Sequence, residues 1–315
     1  MTDAEVVDAL ILGGGPAGLS AALNLARARA TVVVVDSGRP RNAATLRSHG
    51  FITRDGISPL ELRKLAREEV TRYPTVRMLD RAKATMLSEV MGPDGARFVA
   101  TLEGGRPGGA STIAASSVLI ATGIRETLPA VPNLRSFYGM TLFSCAACDA
   151  WELQDRRLAL IGETPDLPSR ARLIARWTND LTVFTNASEV IDTAEEAELA
   201  ASGINVERRR IEDLEGDRGA ITAVRLSDGT RISIEGGFVR PRWEPALDFV
   251  DRLPVNRDSE GHLLVDRSGR TSLAGLYGAG DAAAPGPQQL IVAAGQGARA
   301  AAVIIHDMVG VRTAH

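Results

Sequence analysis

The chain has 315 residues, enough for two domains, with 36 Lys and Arg against 39 Asp and Glu and a net charge of −3. That balance offers no basic face for nucleic acid, and no apolar run reaches membrane-spanning length. The acidic start, Met1 to Glu5, leads into a strand without the basic and apolar regions of a secretion signal, so a cytoplasmic location is expected.

The first feature is a short apolar run, Val7 to Leu12, followed by Gly13-Gly14-Gly15-Pro16-Ala17-Gly18 and an Ala/Leu-rich helix to about Arg29. Strand, tight turn and helix in that order make a dinucleotide fingerprint. Gly13 permits the turn, Gly15 lets a pyrophosphate approach the backbone, and Gly18 lets the helix pack close to the strand. The helix N-terminus then faces the phosphates with unpaired N–H groups. A second strand, 31–35, ends in Asp36, whose carboxylate is placed to bind ribose hydroxyls.

Ser58-Pro59-Leu60-Glu61 has a capping-box pattern and opens an amphipathic helix to about Arg72. Segments 85–91, 97–102 and 111–120 read as a three-stranded meander, broken by Gly92-Pro93-Asp94-Gly95 and by the Gly-rich stretch 104–109.

Cys145 and Cys148 are the only cysteines, spaced Cys-x-x-Cys and followed by Asp149. Two thiols at this spacing can close a small reducible ring, and a helix starting there would lower a thiol pKa. The alternatives are a buried apolar pair or half of a zinc site. Zinc loses support because His49, His262, His306 and His315 are scattered without ligand spacing, so no metal is expected. In a reducing compartment a lone Cys-x-x-Cys favours redox chemistry.

Near the C-terminus, 271–281 reads as a strand ending in Gly280-Asp281, followed by a long Ala/Gly helix over about 288–308. Gly15-Pro16-Ala17-Gly18, Ala121-Thr122-Gly123 and Gly278-Ala279-Gly280-Asp281 are similar to the three FAD signatures of two-dinucleotide-fold flavoproteins. With the Cys pair between them, nearly the whole chain resembles the low-molecular-weight thioredoxin reductase family. The resemblance implies an α/β fold of two Rossmann-like dinucleotide-binding domains, the second inserted into the first. The FAD domain would comprise 1–123 and 240–315, and an NAD(P)H-binding-like domain with the Cys pair would comprise 124–239. It further implies that Asp281 binds the ribityl chain, that Gln289 and Leu290 lie by the isoalloxazine, and that the protein is a homodimer.

The family binds NADPH in its central domain through a second Gly-rich turn and a basic cluster, and this sequence departs from both. After the strand 157–161, Gly162 remains, but Thr164 and Leu167 take the other two small-residue places, and Glu163 and Asp166 add negative charge. After the strand 181–184 come Thr185-Asn186-Ala187, where the family carries guanidiniums for the 2′-phosphate. Arg208-Arg209-Arg210 reads as a solvated charge run.

These losses resemble one branch of the family, the dithiol oxidases associated with gliotoxin and holomycin, which keep FAD and Cys-x-x-Cys and pass electrons to O2, giving hydrogen peroxide. Arg41-Asn42, Ser48-His49-Gly50-Phe51, Thr53 to Gly56, Trp151-Glu152 and Ala175 to Asp180 carry that likeness, and by it Asn42 joins the FAD-site residues. Asp149 departs from it, since the branch has His there and the reductases have Asp. On this resemblance a small-molecule dithiol is the substrate, Cys145 faces it and Cys148 faces the flavin.

Asp149 is the candidate for proton movement, or else a first-turn helix acid. His49 is a candidate base for substrate thiols, or an incidental loop histidine. Trp243 walls a pocket or belongs to the core. The alternative activity is a thioredoxin reductase drawing on NADPH or ferredoxin and acting on a thioredoxin-like protein. A flavin-bearing redox sensor is a third reading.

Overall fold

The computed structural model describes residues 6–92, 95–105, 111–283 and 286–311. The acidic start, the turns expected at 93–94 and 106–109, and His315 lie outside the described residues.

Sheet order separates two layers of the chain. In the first, β1 (Val7–Leu12) lies between β2 (Val32–Asp36) and β6 (Ser111–Ile120), in parallel pairing with both. On the far side of β2, β3 (Val76–Asp80) continues the parallel order, and β17 (Leu276–Gly278) joins β6 in parallel. Apolar runs such as Val32-Val33-Val34-Val35 are buried throughout because parallel strands are covered on both faces. The meander forms from β4 (Ala82–Glu89), β5 (Phe98–Gly104) and β6, all antiparallel. β4 begins earlier than expected because the chain turns at Arg81, φ 54°, straight out of β3, itself an unexpected strand.

Helix α1 (Pro16–Arg27) starts on Pro16, whose missing N–H is an orphan at that position anyway. Its small residues allow close packing against α7 (Leu290–Met308): a Cβ on Gly297 would fall 2.0 Å from the Ala17 carbonyl oxygen. Helix α2 (Pro59–Thr71) is where expected, but its capping box does not form. Ser58 makes no side-chain cap bond; its carbonyl accepts from Leu62 N–H at 2.9 Å, and Glu61 turns outward to Lys64 at 3.7 Å. The strand expected over 271–281 shrinks to β17, because Thr271 N–H bonds back to the Leu276 carbonyl at 3.1 Å and folds the intervening residues into a turn.

β7 (Ile124–Thr127) leaves the first sheet, and a one-turn helix α3 (Leu134–Phe137) leads to the second. There β8 (Leu142–Phe143), β9 (Leu158–Gly162), β10 (Leu181–Phe184), β11 (Ile204–Glu207) and β15 (Gly236–Arg240) are ordered β11-β10-β9-β15-β8, all parallel. Between β8 and β9 stands the one-turn helix α4 (Ala146–Asp149). α5 (Leu167–Ile174) and α6 (Thr193–Ala201) pack on this sheet. At α6 a capping box does form: Asp192 accepts from Glu195 N–H at 2.8 Å, and Glu195 accepts from Asp192 N–H at 3.1 Å. A meander of β12 (Ile211–Asp217), β13 (Ala220–Leu226) and β14 (Arg231–Ser233) covers one face. The chain returns through β16 (Arg242–Pro245), which pairs antiparallel with β7, so both crossings between the sheets run side by side. Among the described residues no helix is long and apolar enough to cross a membrane.

Candidate active site

Three chain segments meet at the C-terminal end of β1. Gly13 has φ 116°, closed to other residues, and a Cβ there would lie 2.1 Å from the Ala121 carbonyl oxygen. Gly18 is just as tightly placed against Gly13, at 1.8 Å. Gly15, by contrast, has nothing within 4 Å of its Cβ position, and neither does Gly123. Thr122 between them donates its hydroxyl to the Ala246 carbonyl at 2.9 Å, fixing that turn.

Asp36 accepts from Gly38 N–H at 2.9 Å, from Arg63, and from Arg67 at 3.2 Å. Arg63 and Arg67 also line a cavity of ≈ 490 Å³ with Gly38, Asp80 and Arg81. Gly280 N–H donates to Gln296 at 2.7 Å, and Asp281 accepts from Arg41 at 3.0 Å. Gln289 is the N-cap of α7 and Leu290 its first residue. Asn42 sits beside Arg41 in a short turn, its carbonyl accepting from Thr45 N–H at 3.2 Å. Open space over Gly15, the uncapped helix ends of α1 and α7, and the carboxylates of Asp36 and Asp281 fit a dinucleotide stretched across this end of the sheet.

Cys145 and Cys148 are joined in a disulfide, with Cα atoms 5.3 Å apart, and Cys145 is the N-cap of α4. Asp149 is the last residue of that one-turn helix; it is not the N-cap but is the acid of the helix's first turn. Its carboxyl is pushed up to about 7, chiefly by burial, with Glu152 adding to the shift and His49 opposing it. His49 stands between two carboxylates, Nδ1 3.5 Å from Asp55 and Nε2 3.5 Å from Glu152. Its loop is pinned where Ser48 N–H donates to the Ile57 carbonyl at 2.8 Å. Asp55 accepts from Gly50 N–H at 2.8 Å, which holds its carboxyl below the usual range. The four residues named for catalysis thus fall together: His49 comes from the first sheet's loops and reaches the helix of Cys145, Cys148 and Asp149 through Glu152.

At the second glycine turn Gly162 is crowded as Gly13 is, and Thr164 stands where Gly15 leaves open space. A Cβ on Gly162 would lie 2.8 Å from the Leu167 side chain and 2.8 Å from Arg240 Cβ. Asp166 accepts from Arg240 at 2.8 Å, Arg170 at 2.6 Å and the Thr164 hydroxyl at 2.7 Å. Burial works to raise the Asp166 carboxyl, and these donors outweigh it, holding it below the usual range. Asn186 donates to Glu163 at 2.7 Å and accepts from Ile211 N–H at 3.0 Å. Arg208 is paired with Glu196, and Arg209 with Glu207 and Asp228, so neither reaches toward that turn.

Trp243 joins the two regions. Its indole N–H donates to Glu126 at 2.9 Å, and the guanidiniums of Arg240, Arg170 and Arg41 lie 4.3, 5.3 and 5.8 Å from its ring centroid. Glu126 also accepts from Arg41 at 3.2 Å and from the Tyr138 hydroxyl at 3.0 Å. Glu126, Tyr138 and Gln296 carried no motif in the sequence; only the fold assembles them. Among the described residues no cluster of His, Cys, Asp and Glu is arranged to hold a metal.

Comparison with known proteins agrees with this geometry. The family described as pyridine nucleotide-disulphide oxidoreductase matches residues 7–297. A relative from Arthroderma benhamiae is 33% identical over 182 residues, 58% of this chain and 44% of that longer protein. Thioredoxin reductase aclD from Aspergillus oryzae is 30% identical over 292 residues, covering 88% of this chain and 89% of aclD. The crystal structure of HlmI superposes with a TM-score of 0.89 at 31% identity, covering 96% of this chain and 93% of that one. The chain is therefore a thioredoxin reductase-like member of the pyridine nucleotide-disulphide oxidoreductase family.

Proposed function

We propose that this protein is an FAD-dependent dithiol oxidase that closes a disulfide in a small-molecule dithiol and passes the electrons to O2. FAD would lie across the first glycine turn, held by the backbone from Gly13 to Gly18 with Pro16 and Ala17 opening the helix, by Asp36, and by Ala121 to Gly123, Gly280, Asp281, Gln289 and Leu290. The corresponding division is an FAD domain of 1–123 and 240–315 around an inserted unit, 124–239. The observation that carries the reading is the contrast between the two turns: the space over Gly15 is open, while the matching place in the second turn holds Thr164, whose hydroxyl donates to Asp166, itself tied to Arg170 and Arg240.

A substrate thiolate attacks Cys145, breaking the Cys145–Cys148 bond and forming a mixed disulfide; Cys148 leaves as the thiolate. The second substrate thiol then displaces Cys145, so product departs as a disulfide and two electrons remain in the Cys pair. His49 would take a proton from an incoming thiol. Asp149, with a carboxyl near pH 7 in its proton affinity, is placed to hold and release a proton beside Cys148. Bound FAD would supply the two-electron acceptor for the Cys pair, with O2 as the final oxidant, itself reduced to hydrogen peroxide.

The alternative, a thioredoxin reductase using NADPH or ferredoxin, draws on Asp149 and on the names of relatives such as aclD. Anaerobic mixing separates the two. A reduced small dithiol should bleach the yellow protein, and readmitted O2 should restore colour with one peroxide per disulfide. Bleaching by NADPH and not by the dithiol would overturn the oxidase reading.

A further inference from the structure

Glu126 is a carboxylate of the site to which this mechanism gives no task. Its side chain is 11% exposed and stands on β7, in the ribbon between the two sheets, with Trp243 of β16 as its register partner. Three donors hold it. Oε1 accepts from the Trp243 indole N–H at 2.9 Å and from Arg41 at 3.2 Å, and Oε2 accepts from the Tyr138 hydroxyl at 3.0 Å. Trp243 and Tyr138 are neutral and come from outside the first glycine turn, so they anchor the carboxylate independently of Arg41.

Arg41 divides its guanidinium between two carboxylates. Nη1 donates to Glu126, and Nη2 donates to Asp281 Oδ2 at 3.0 Å. Asp281 is therefore met through one oxygen, and its Oδ1 stays out of the ion pair. A guanidinium beside a single carboxylate favours the fork, two parallel N–H···O bonds that take both oxygens. Glu126 competes for the second arm and keeps that fork open. All three side chains are largely shielded from water, where charge-assisted bonds count for more than they do between exposed ions.

We propose that Glu126 is a positioning residue of the first nucleotide site: by holding one arm of Arg41, it leaves an oxygen of Asp281 to accept from a hydroxyl of the bound dinucleotide. The proposal rests on FAD occupying that site with Asp281 on its ribityl chain. Glu126 itself touches no part of the cofactor. Its effect passes through Arg41, and removing Arg41 removes the effect.

The test is the rate at which FAD leaves the holoprotein on dilution, followed by the fluorescence of released flavin. Glu126→Gln keeps the shape and still accepts from Trp243, but a neutral amide holds the guanidinium less strongly. Arg41 should then close on Asp281, and FAD should leave about tenfold faster. In an Arg41→Met background the same substitution should change release by no more than about twofold, since no fork is left to close. Tyr138→Phe, which removes a neutral donor and spares Arg41, should likewise stay within about twofold of wild type. Release from Glu126→Gln no faster than wild type, as plain loss of negative charge near a diphosphate would give, would overturn the proposal. So would an undiminished effect beside Arg41→Met, or equal acceleration by Tyr138→Phe. None of these results touches the oxidase reading, whereas a wild type that takes up no FAD would overturn both. Should Glu126→Gln not fold, a crystal structure of the wild-type holoprotein decides: Arg41 on one Asp281 oxygen and a flavin hydroxyl on the other sustain the role, and a forked Arg41–Asp281 pair refutes it.

Discussion

Arg240 donates through Nε to Asp166 at 2.8 Å, tying the last residue of β15 to the residue that opens α5. A helix N-terminus that would serve phosphate is thereby closed by an internal ion pair. Stopped-flow mixing with NADPH should leave the flavin largely oxidised over seconds. Arg240→Ala should not change that, because Thr164 and Leu167 still take the other two small-residue places and Thr185-Asn186-Ala187 still offers no guanidinium. Rapid bleaching of the wild type by NADPH would return the reductase to first place.

The two sulfurs should separate by spectrum. If Cys148 is the sulfur on the flavin side, its thiolate, left free in Cys145→Ser, should give a broad long-wavelength absorbance with oxidised FAD that fades in acid. Cys148→Ser should lack the band and hold substrate on Cys145 as an added mass that reductant removes. The band appearing in Cys148→Ser would reverse the assignment.

Asp149 links stability to pH. Its carboxyl is raised to about 7 from the ordinary 3.8, so it binds a proton more tightly folded than unfolded. That contribution is complete below about pH 4 and is lost as pH rises through about 7. Asp149→Asn carries no charge to bury, so in urea unfolding at pH 8 it should be more stable than wild type by ~2 kcal/mol, the difference closing in acid. Turnover should fall at least tenfold in the same variant. A stability difference independent of pH would refute the buried-acid account.

Two glycines of α7 should respond in opposite directions. Gly297→Ala puts a Cβ 2.0 Å from a backbone oxygen of α1, which must move, at a cost of about 1–3 kcal/mol and with weaker FAD retention. Gly295 has nothing within 4 Å, so Gly295→Ala should gain about 0.5–1 kcal/mol from helix propensity alone. Equal effects in thermal unfolding would mean that α1 and α7 are not packed as described.

The first nucleotide turn was legible because its chemistry is local: Gly13, Gly15 and Gly18 act through space that a side chain would fill, and the spacing of three glycines records it. The Cys pair was legible for the same reason. Arg41, Glu126, Tyr138, Trp243 and Asp281 meet from five separate segments, and no spacing records such a meeting. Local pattern also misled. Ser58 with Glu61 reads as a capping box, yet Pro59 intervenes and Glu61 finds Lys64, whereas Asp192 with Glu195 forms the box that the sequence reading passed over. At the second turn Thr164 and Leu167 were readable, but the tie of Asp166 to Arg240, some 74 residues on, was a matter of tertiary pairing.

The pairing of β7 with β16 has a consequence for the history of such a chain. Ile124 and Pro245 are register partners, so the point where the chain leaves the first sheet and the point where it returns are neighbours in space. Everything between them hangs from one two-stranded ribbon. A stretch of more than a hundred residues could be excised and the gap closed by a short turn without altering the strand order of the first sheet. The same geometry lets the inserted layer accumulate changes such as Thr164 and Leu167 while the strands that carry Gly13, Ala121 and Gly280 keep their places.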